Sequence, residues 1–208
     1  MENKFLVLDF ETNGLLSFPH NHAISFSVMG LNDKLEKNLD FYTILRRHDL
    51  PSHHWNPEAE RIHGISLEQM LIDGRDPYEC MKWLVGAMTS YKVVVCHNTD
   101  FDLGIMRAEI SRLKLEVPNN FLNNTKRDQR VVKSLCTMKL ARKIWPGQSA
   151  TLQKVFNRIP EFSGKITDWH NAKADVQATA NIFHWMYHNR RSQVQGFLDK
   201  QNLQLSLL

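Results

Sequence analysis

Few cysteines, a small charge imbalance and the lack of any long apolar run narrow what this chain can be. Cys80, Cys96 and Cys136 are too few and too widely spaced for a disulfide framework, and none has the paired spacing of a zinc site. They read as buried small hydrophobes. Nowhere does an apolar run reach the roughly 18 residues of a membrane span. Met1-Glu2-Asn3-Lys4 leads into a short apolar segment without a signal-peptide pattern. The expectation is a soluble, cytoplasmic protein in a reducing compartment, with no membrane contact. There is no internal repeat and no convincing linker.

What is present suits one substantial domain, or a core domain with a small appendage. The chain has 208 residues, 42% hydrophobic and 23% charged, enough to bury a continuous core and unlike a disordered composition. With 26 Lys and Arg against 22 Asp and Glu, the net charge of +4 permits a polyanionic partner without requiring one. Lys126, Arg127, Arg130, Lys133, Lys139, Arg142 and Lys143 form a basic stretch. It reads either as a track for phosphates or as ordinary solvated surface.

Phe5 to Glu11 is rich in strand formers, and its apolar start predicts an interior strand ended by Thr12-Asn13-Gly14. Ala23 to Leu31 and Leu39 to Arg46 read as two further strands in an antiparallel meander. Pro51 to Gly74 reads as a loop with one short helical turn near Pro57-Glu58-Ala59-Glu60. Helices are expected through Cys80–Met88 after Pro77, from Phe101 to Leu113, from Lys139 to Ile144, and from Thr151 to Phe156. Asn171 to Tyr187 reads as the longest helix. Lys92 to Cys96 is a short buried strand and Val131 to Leu135 an edge strand. One mixed five-stranded sheet with helices on its faces, an α/β fold, is the simplest architecture.

The acidic residues carry the chemical interest. Asp9 and Glu11, two apart in a strand, leave the same face within about 7 Å of each other. Burying two like charges in an apolar segment without a cation is costly, so shared metal ligation competes with the reading of one strand-end and one solvated acid. Asp102 sits near the first turn of a helix beyond a buried strand, where an acid also serves as a dipole partner; Asp100 is the better cap. Asp175 lies early in the longest helix and could equally be an exposed acid. Hard oxygen ligands suit Mg²⁺ or Mn²⁺, and four carboxylates can hold a pair about 3.5 to 4 Å apart. His170, five positions before Asp175, would not share its helical face and is placed in the preceding loop. It has the chemistry of a proton acceptor, although an isolated histidine is more often an ordinary surface residue.

Three segments together resemble the DEDDh group of 3′ to 5′ exonucleases in the ribonuclease H-like superfamily, which includes the proofreading subunit of bacterial replicative polymerase and exonuclease X. They are Asp9-Phe10-Glu11-Thr12-Asn13-Gly14, His97-Asn98-Thr99-Asp100-Phe101-Asp102 and His170-Asn171-Ala172-Lys173-Ala174-Asp175. Ile62-His63-Gly64-Ile65 and Leu135 to Arg142 add to the likeness, which spans roughly residues 4 to 188. The resemblance implies a ribonuclease H-like fold, an exonuclease domain over residues 1–190 and a tail over residues 191–208. It implies that Asp9, Glu11, Asp102 and Asp175 bind two divalent cations, Mg²⁺ or Mn²⁺, and that His170 is the general base. It further implies that Thr12, Asn13, Gly14 and Leu15 line the terminal nucleotide, with Leu15 wedged against its base. His63, Asn98 and Phe101 help shape the pocket.

The substrate so implied is a single-stranded or frayed DNA 3′ end, released as nucleoside 5′-monophosphates. An exoribonuclease acting on short RNA is the alternative within the class, and a catalytically degenerate nucleic-acid-binding or polymerase-associated protein the alternative outside it. Trp169 either stacks on a base or braces its loop on the core; bracing is favoured because a Trp supplies a large apolar contact without any ligand. Gln204-Leu205-Ser206-Leu207-Leu208 resembles a bacterial sliding-clamp-binding peptide, against the alternative of a terminus docked on its own domain. A polymerase partner and the oligomeric state are left open.

Overall fold

The computed structural model describes residues 2–15, 21–118, 120–122 and 131–199. Five strands form one mixed sheet in the order β3-β2-β1-β4-β5, namely β1 (Asn3–Thr12), β2 (Ala23–Asn32), β3 (Lys37–Ile44), β4 (Val93–Cys96) and β5 (Lys133–Cys136). β1 pairs antiparallel with β2, and β2 with β3, which is the expected meander. β4 pairs parallel with both β1 and β5. β5 starts later than Val131 because Val131 and Val132 donate their N–H groups back to Asn120 and Phe121 instead of joining the sheet.

Among the described residues the eight α-helices are α1 (Pro57–His63), α2 (Leu67–Asp73), α3 (Pro77–Ser90), α4 (Thr99–Leu113), α5 (Thr137–Ile144), α6 (Leu152–Arg158), α7 (Ala172–Asn189) and α8 (Arg191–Leu198). Residues 51–74 are therefore largely helical, not the single helical turn in a loop that their prolines and polar residues suggest. Local capping explains the difference. The Asn56 side chain accepts from Glu58 and Ala59 at the start of α1, Gly64 ends it at a φ of +74°, and Ser66 caps α2. Ala59, His63 and Met70 then bury the inner faces of these two short helices.

Side-chain alternation along β1 divides the interior. Phe5 and Val7 enter one core with Val176, Ile182 and Phe183 of α7, and Val194 and Leu198 of α8 join the same core. Leu6, Leu8 and Phe10 point the other way, into a core shared with α3 and α4. The first eight residues of the expected tail are thus a packed helix, whereas Gln204–Leu208 lies outside the described residues. Cys80, Cys96 and Cys136 are buried and free. Among the described residues no helix is long and apolar enough to cross a membrane.

Candidate active site

Asp9 and Glu11 continue the face of β1 that begins with Phe5 and Val7, so they emerge where the apolar contact with α7 gives out. Asp175, buried one turn into α7, meets them there. One carboxylate oxygen from each of Asp9, Glu11 and Asp175 lies within 4.8 Å of the others. The Asn171 side chain caps α7, accepting from Lys173 N–H at 3.1 Å, and so fixes where the helix begins.

Asp102 approaches from the opposite layer, on the first turn of α4. β1 pairs with β4 only through Val7. Farther along, the Phe10 backbone turns toward the Asp102 carboxylate. Asp102 stands outside the three-carboxylate group but close enough for its charge to act on Asp9 and Glu11. The start of α4 also differs from expectation. Asn98, not Asp100, occupies the cap position, and Asp100 instead forms an ion pair with Lys139 at 2.6 Å.

Burial raises all four acids, and the charge of their neighbours adds to it at Asp9 and Glu11. Burial first, then repulsion from Asp102, Glu11 and Asp175, pushes Asp9 well above the carboxylate range. Glu11 rises to about 9, through burial and then the charges of Asp175 and Asp102. Burial lifts Asp102 to about 7 against the opposing hydrogen bond from Phe10, and Asp175 to about 6 against the nearby His170. Oδ1 of Asp102 and Oδ1 of Asp175 are buried without a hydrogen-bond partner. A cluster of hard oxygen donors with mutual repulsion and unpartnered oxygens fits a divalent cation.

His170 precedes the α7 cap as expected, and its backbone φ of +63° lies in the left-handed region. Its ring is exposed to a cleft of about 700 Å³ bordered by Glu11, Thr12, Gly14, Leu15, His63 and Phe101. Trp169 packs away from this cleft, edge-on to Phe156 at 5.5 Å, so it braces the loop on the core.

Asn98 stands at the start of α4 with an exposed side chain that makes no cap hydrogen bond. One residue expected to contact a nucleotide does other work: Asn13 is fully buried, its Nδ2 donating to the His54 carbonyl at 2.9 Å and its Oδ1 accepting from Asn56 N–H at 2.8 Å. Asn13 thereby ties the end of β1 to the turn that starts α1. This places Asn56, Glu58, Ala59 and Ile62 along the cleft, where the sequence offered Glu58 and Ala59 only as part of a helical turn and Ile62 only as part of the family likeness. Apolar residues two and five before Gly64, Ile62 and Ala59, are a signal too weak to find such a wall unaided.

Residues 6–183 match the family model for the exonuclease domain RNase_T. The chain belongs to the RNase_T exonuclease family. Among relatives of this family, the DNA polymerase III subunit epsilon of Escherichia coli is 29% identical over 188 residues, covering 86% of this chain and 69% of that protein. The Pasteurella multocida subunit is 25% identical over 182 residues, covering 86% of this chain and 66% of its own length. In fold, the chain is similar to E. coli exonuclease I bound to single-stranded DNA, with a TM-score of 0.75 and 18% identity over 96% of this chain. A second E. coli exonuclease I structure, in complex with a dT13 oligonucleotide, gives a TM-score of 0.75 and 17% identity over 95% of this chain. The chain spans 43% and 44% of those two longer exonuclease chains.

Outside the acids, this RNase_T domain buries two neutral histidines. Burial holds His63 and His97 down to about 4. His97 Nε2 lies 2.8 Å from the Ala150 carbonyl, which can only accept, so Nε2 carries the proton and Nδ1 accepts from the Thr137 hydroxyl at 2.9 Å. His97 thus ties the end of β4 to the start of α5 and to the segment before α6, although it opens the second sequence motif.

Proposed function

We propose that this chain is a metal-dependent 3′ to 5′ exonuclease that hydrolyses DNA from a single-stranded or frayed 3′ end and releases nucleoside 5′-monophosphates. The observation that carries this reading is the convergence of Asp9, Glu11 and Asp175 within 4.8 Å beside buried Asp102, at the edge of a cleft that also exposes His170. Membership of the exonuclease family and the DNA complexes of the similar exonuclease I chains support DNA as the substrate.

In this reading Asp9, Glu11, Asp102 and Asp175 would hold two divalent cations, Mg²⁺ or Mn²⁺. Bound cations of this kind neutralise phosphate charge and lower the pKa of water. The His170 imidazole accepts a proton from the attacking water, and its position in the loop before α7 lets it face the cleft while Asp175 faces the other acids. Thr12, Gly14 and Leu15 border the terminal nucleotide, and Leu15, 72% exposed, is free to press on its base. His63, neutral through burial, and Phe101 complete the apolar wall.

Matched 5′-labelled DNA and RNA oligonucleotides titrated with Mg²⁺ and Mn²⁺ test the proposal. Shortening of DNA from the 3′ end, lost in Asp9→Ala and His170→Ala, is the expected result. Preferential RNA shortening would move the substrate to RNA. Cleavage from the 5′ end, or variants as active as the parent, would overturn it.

A further inference from the structure

Away from the acids, α5 to α8 present a basic face threaded with aromatic rings. Residues 137–158 carry Lys139, Arg142, Lys143, Lys154 and Arg158 and no Asp or Glu. Trp145, just after α5, stacks on Trp185 of α7 with ring centroids 5.5 Å apart and planes 21° apart. Each indole also carries a guanidinium, Arg158 at 5.1 Å from Trp145 and Arg190 at 5.3 Å from Trp185.

Arg142, Lys143, Arg158 and Arg190 make no ion pair among the described residues. Arg158 and Arg190 each donate to a backbone carbonyl, of Ser149 and Asn189, and keep further N–H donors. A stacked guanidinium is held in plane, weakly hydrated and ready to accept a phosphate. The face is continuous with the proposed active site. Lys139, paired with Asp100 next to the cleft residue Phe101, begins a row that continues to Arg142 and Lys143 one turn on and reaches Trp145 at the end of α5.

We propose that this Arg158–Trp145–Trp185–Arg190 array binds the phosphodiester backbone of a single nucleic-acid strand, holding the part of the substrate upstream of the 3′ end being hydrolysed. The proposal rests on the exonuclease reading for the identity of that substrate. Phosphates meet the guanidinium edges, while the half-buried indoles, packed on the core and on each other, hold those guanidiniums in place. Trp185 lies ten residues beyond Asp175 on α7, about 15 Å along the helix, which exceeds the Debye length of roughly 8 Å at physiological salt. Charge at the array therefore acts on strand binding and leaves the chemistry alone.

The test compares the parent with Arg158→Glu/Arg190→Glu and, as a milder variant, Arg158→Gln/Arg190→Gln. Fluorescence anisotropy in EDTA reads binding of a fluorescein-labelled single strand of about twenty thymidines, long enough to span both regions. Hydrolysis of a labelled trinucleotide with Mn²⁺ reads the active site. We expect affinity for the long strand to fall about tenfold in the charge-reversed protein, with a shallower salt dependence, and the trinucleotide rate to stay within about twofold. The Gln variant, folded by circular dichroism, should lose a smaller share of the affinity. Unchanged binding of the long strand by the folded Gln and Glu variants would overturn the proposal and leave the rings as packing. If the parent hydrolyses neither DNA nor RNA, the exonuclease reading fails, while the anisotropy result still decides whether the array binds a strand.

Discussion

The guanidinium of Arg47 lies 2.6 Å from the carboxylate of Glu109, and both side chains are sealed from solvent. Glu109 also accepts from Ala23 N–H at 2.9 Å, while Arg47 Nε donates to the Ala23 carbonyl at 2.8 Å. The pair fastens the first residue of β2 to α4, the helix that carries Asp102. Next to it, Asn13 N–H donates to the His22 carbonyl at 3.0 Å and closes the end of β1. Removing Glu109 leaves the buried Arg47 with only Asp49 at 3.9 Å, whereas removing Arg47 leaves Glu109 still paired with Arg112 at 2.5 Å. Glu109→Gln should therefore cost about 3 to 5 kcal/mol in urea denaturation and Arg47→Met less, and Arg47→Met/Glu109→Leu should recover part of the Glu109→Gln loss.

The repulsion among the four acids gives Asp9→Asn two opposite effects. Without added metal the variant should melt higher, by about 3 °C for each kcal/mol of repulsion relieved. Thermal melting with Mn²⁺ should then show a stabilising shift for the parent and little for Asp9→Asn, whose amide is a poor ligand for a hard cation. A variant melting lower without metal would contradict the repulsion.

His170 combines a strained backbone with the proposed proton transfer, and two substitutions separate these. His170→Ala should lower kcat about 10²- to 10⁴-fold. His170→Gly should be as inactive but gain up to about 1 kcal/mol in stability, because glycine adopts a φ of +63° without strain. Denaturation midpoints and single-turnover rates on the same preparations distinguish the two contributions.

His97 sets a pH dependence of stability. Its pKa falls from 6.5 in the unfolded chain to about 4 in the folded one, so the unfolded chain binds more protons between those values. The contribution is fully present above about 6.5 and is lost as the pH falls toward 4, amounting to about 3 kcal/mol. The acidic cluster, with raised pKa values, acts in the opposite sense over part of this range. The comparison must therefore be made by difference. Urea denaturation of parent and His97→Gln at pH 5 and pH 7 should show the smaller acid loss in the variant.

Much of the site was legible because its residues lie in short segments of fixed period. The two-residue spacing of Asp9 and Glu11 puts both on one face of a strand, and that holds whatever packs against it. Placing His170 in the loop before α7 likewise followed from helical rotation alone. Seven-residue helices are harder. α1 and α2 are too short to show an apolar period, and they exist because Asn56, Ser66 and Gly64 satisfy their ends and the core receives Met70.

Chain order, the meander of β1 to β3 and the acids available to a cation are local properties, set by residue type and spacing, and the sequence determines them by itself. Which acids come within 4.8 Å, why Asn13 turns away from the cleft to hold His54 and Asn56, and how Arg47 finds Glu109 depend on residues far apart in the chain meeting across layers. Asp102 shows the division most clearly. Its place on the first turn of a helix was readable, but that turn reaches Phe10 only because β1 runs on past the end of its pairing with β4. No periodicity encodes that separation, because it arises from the packing of α4 and α7 on opposite faces of the same sheet.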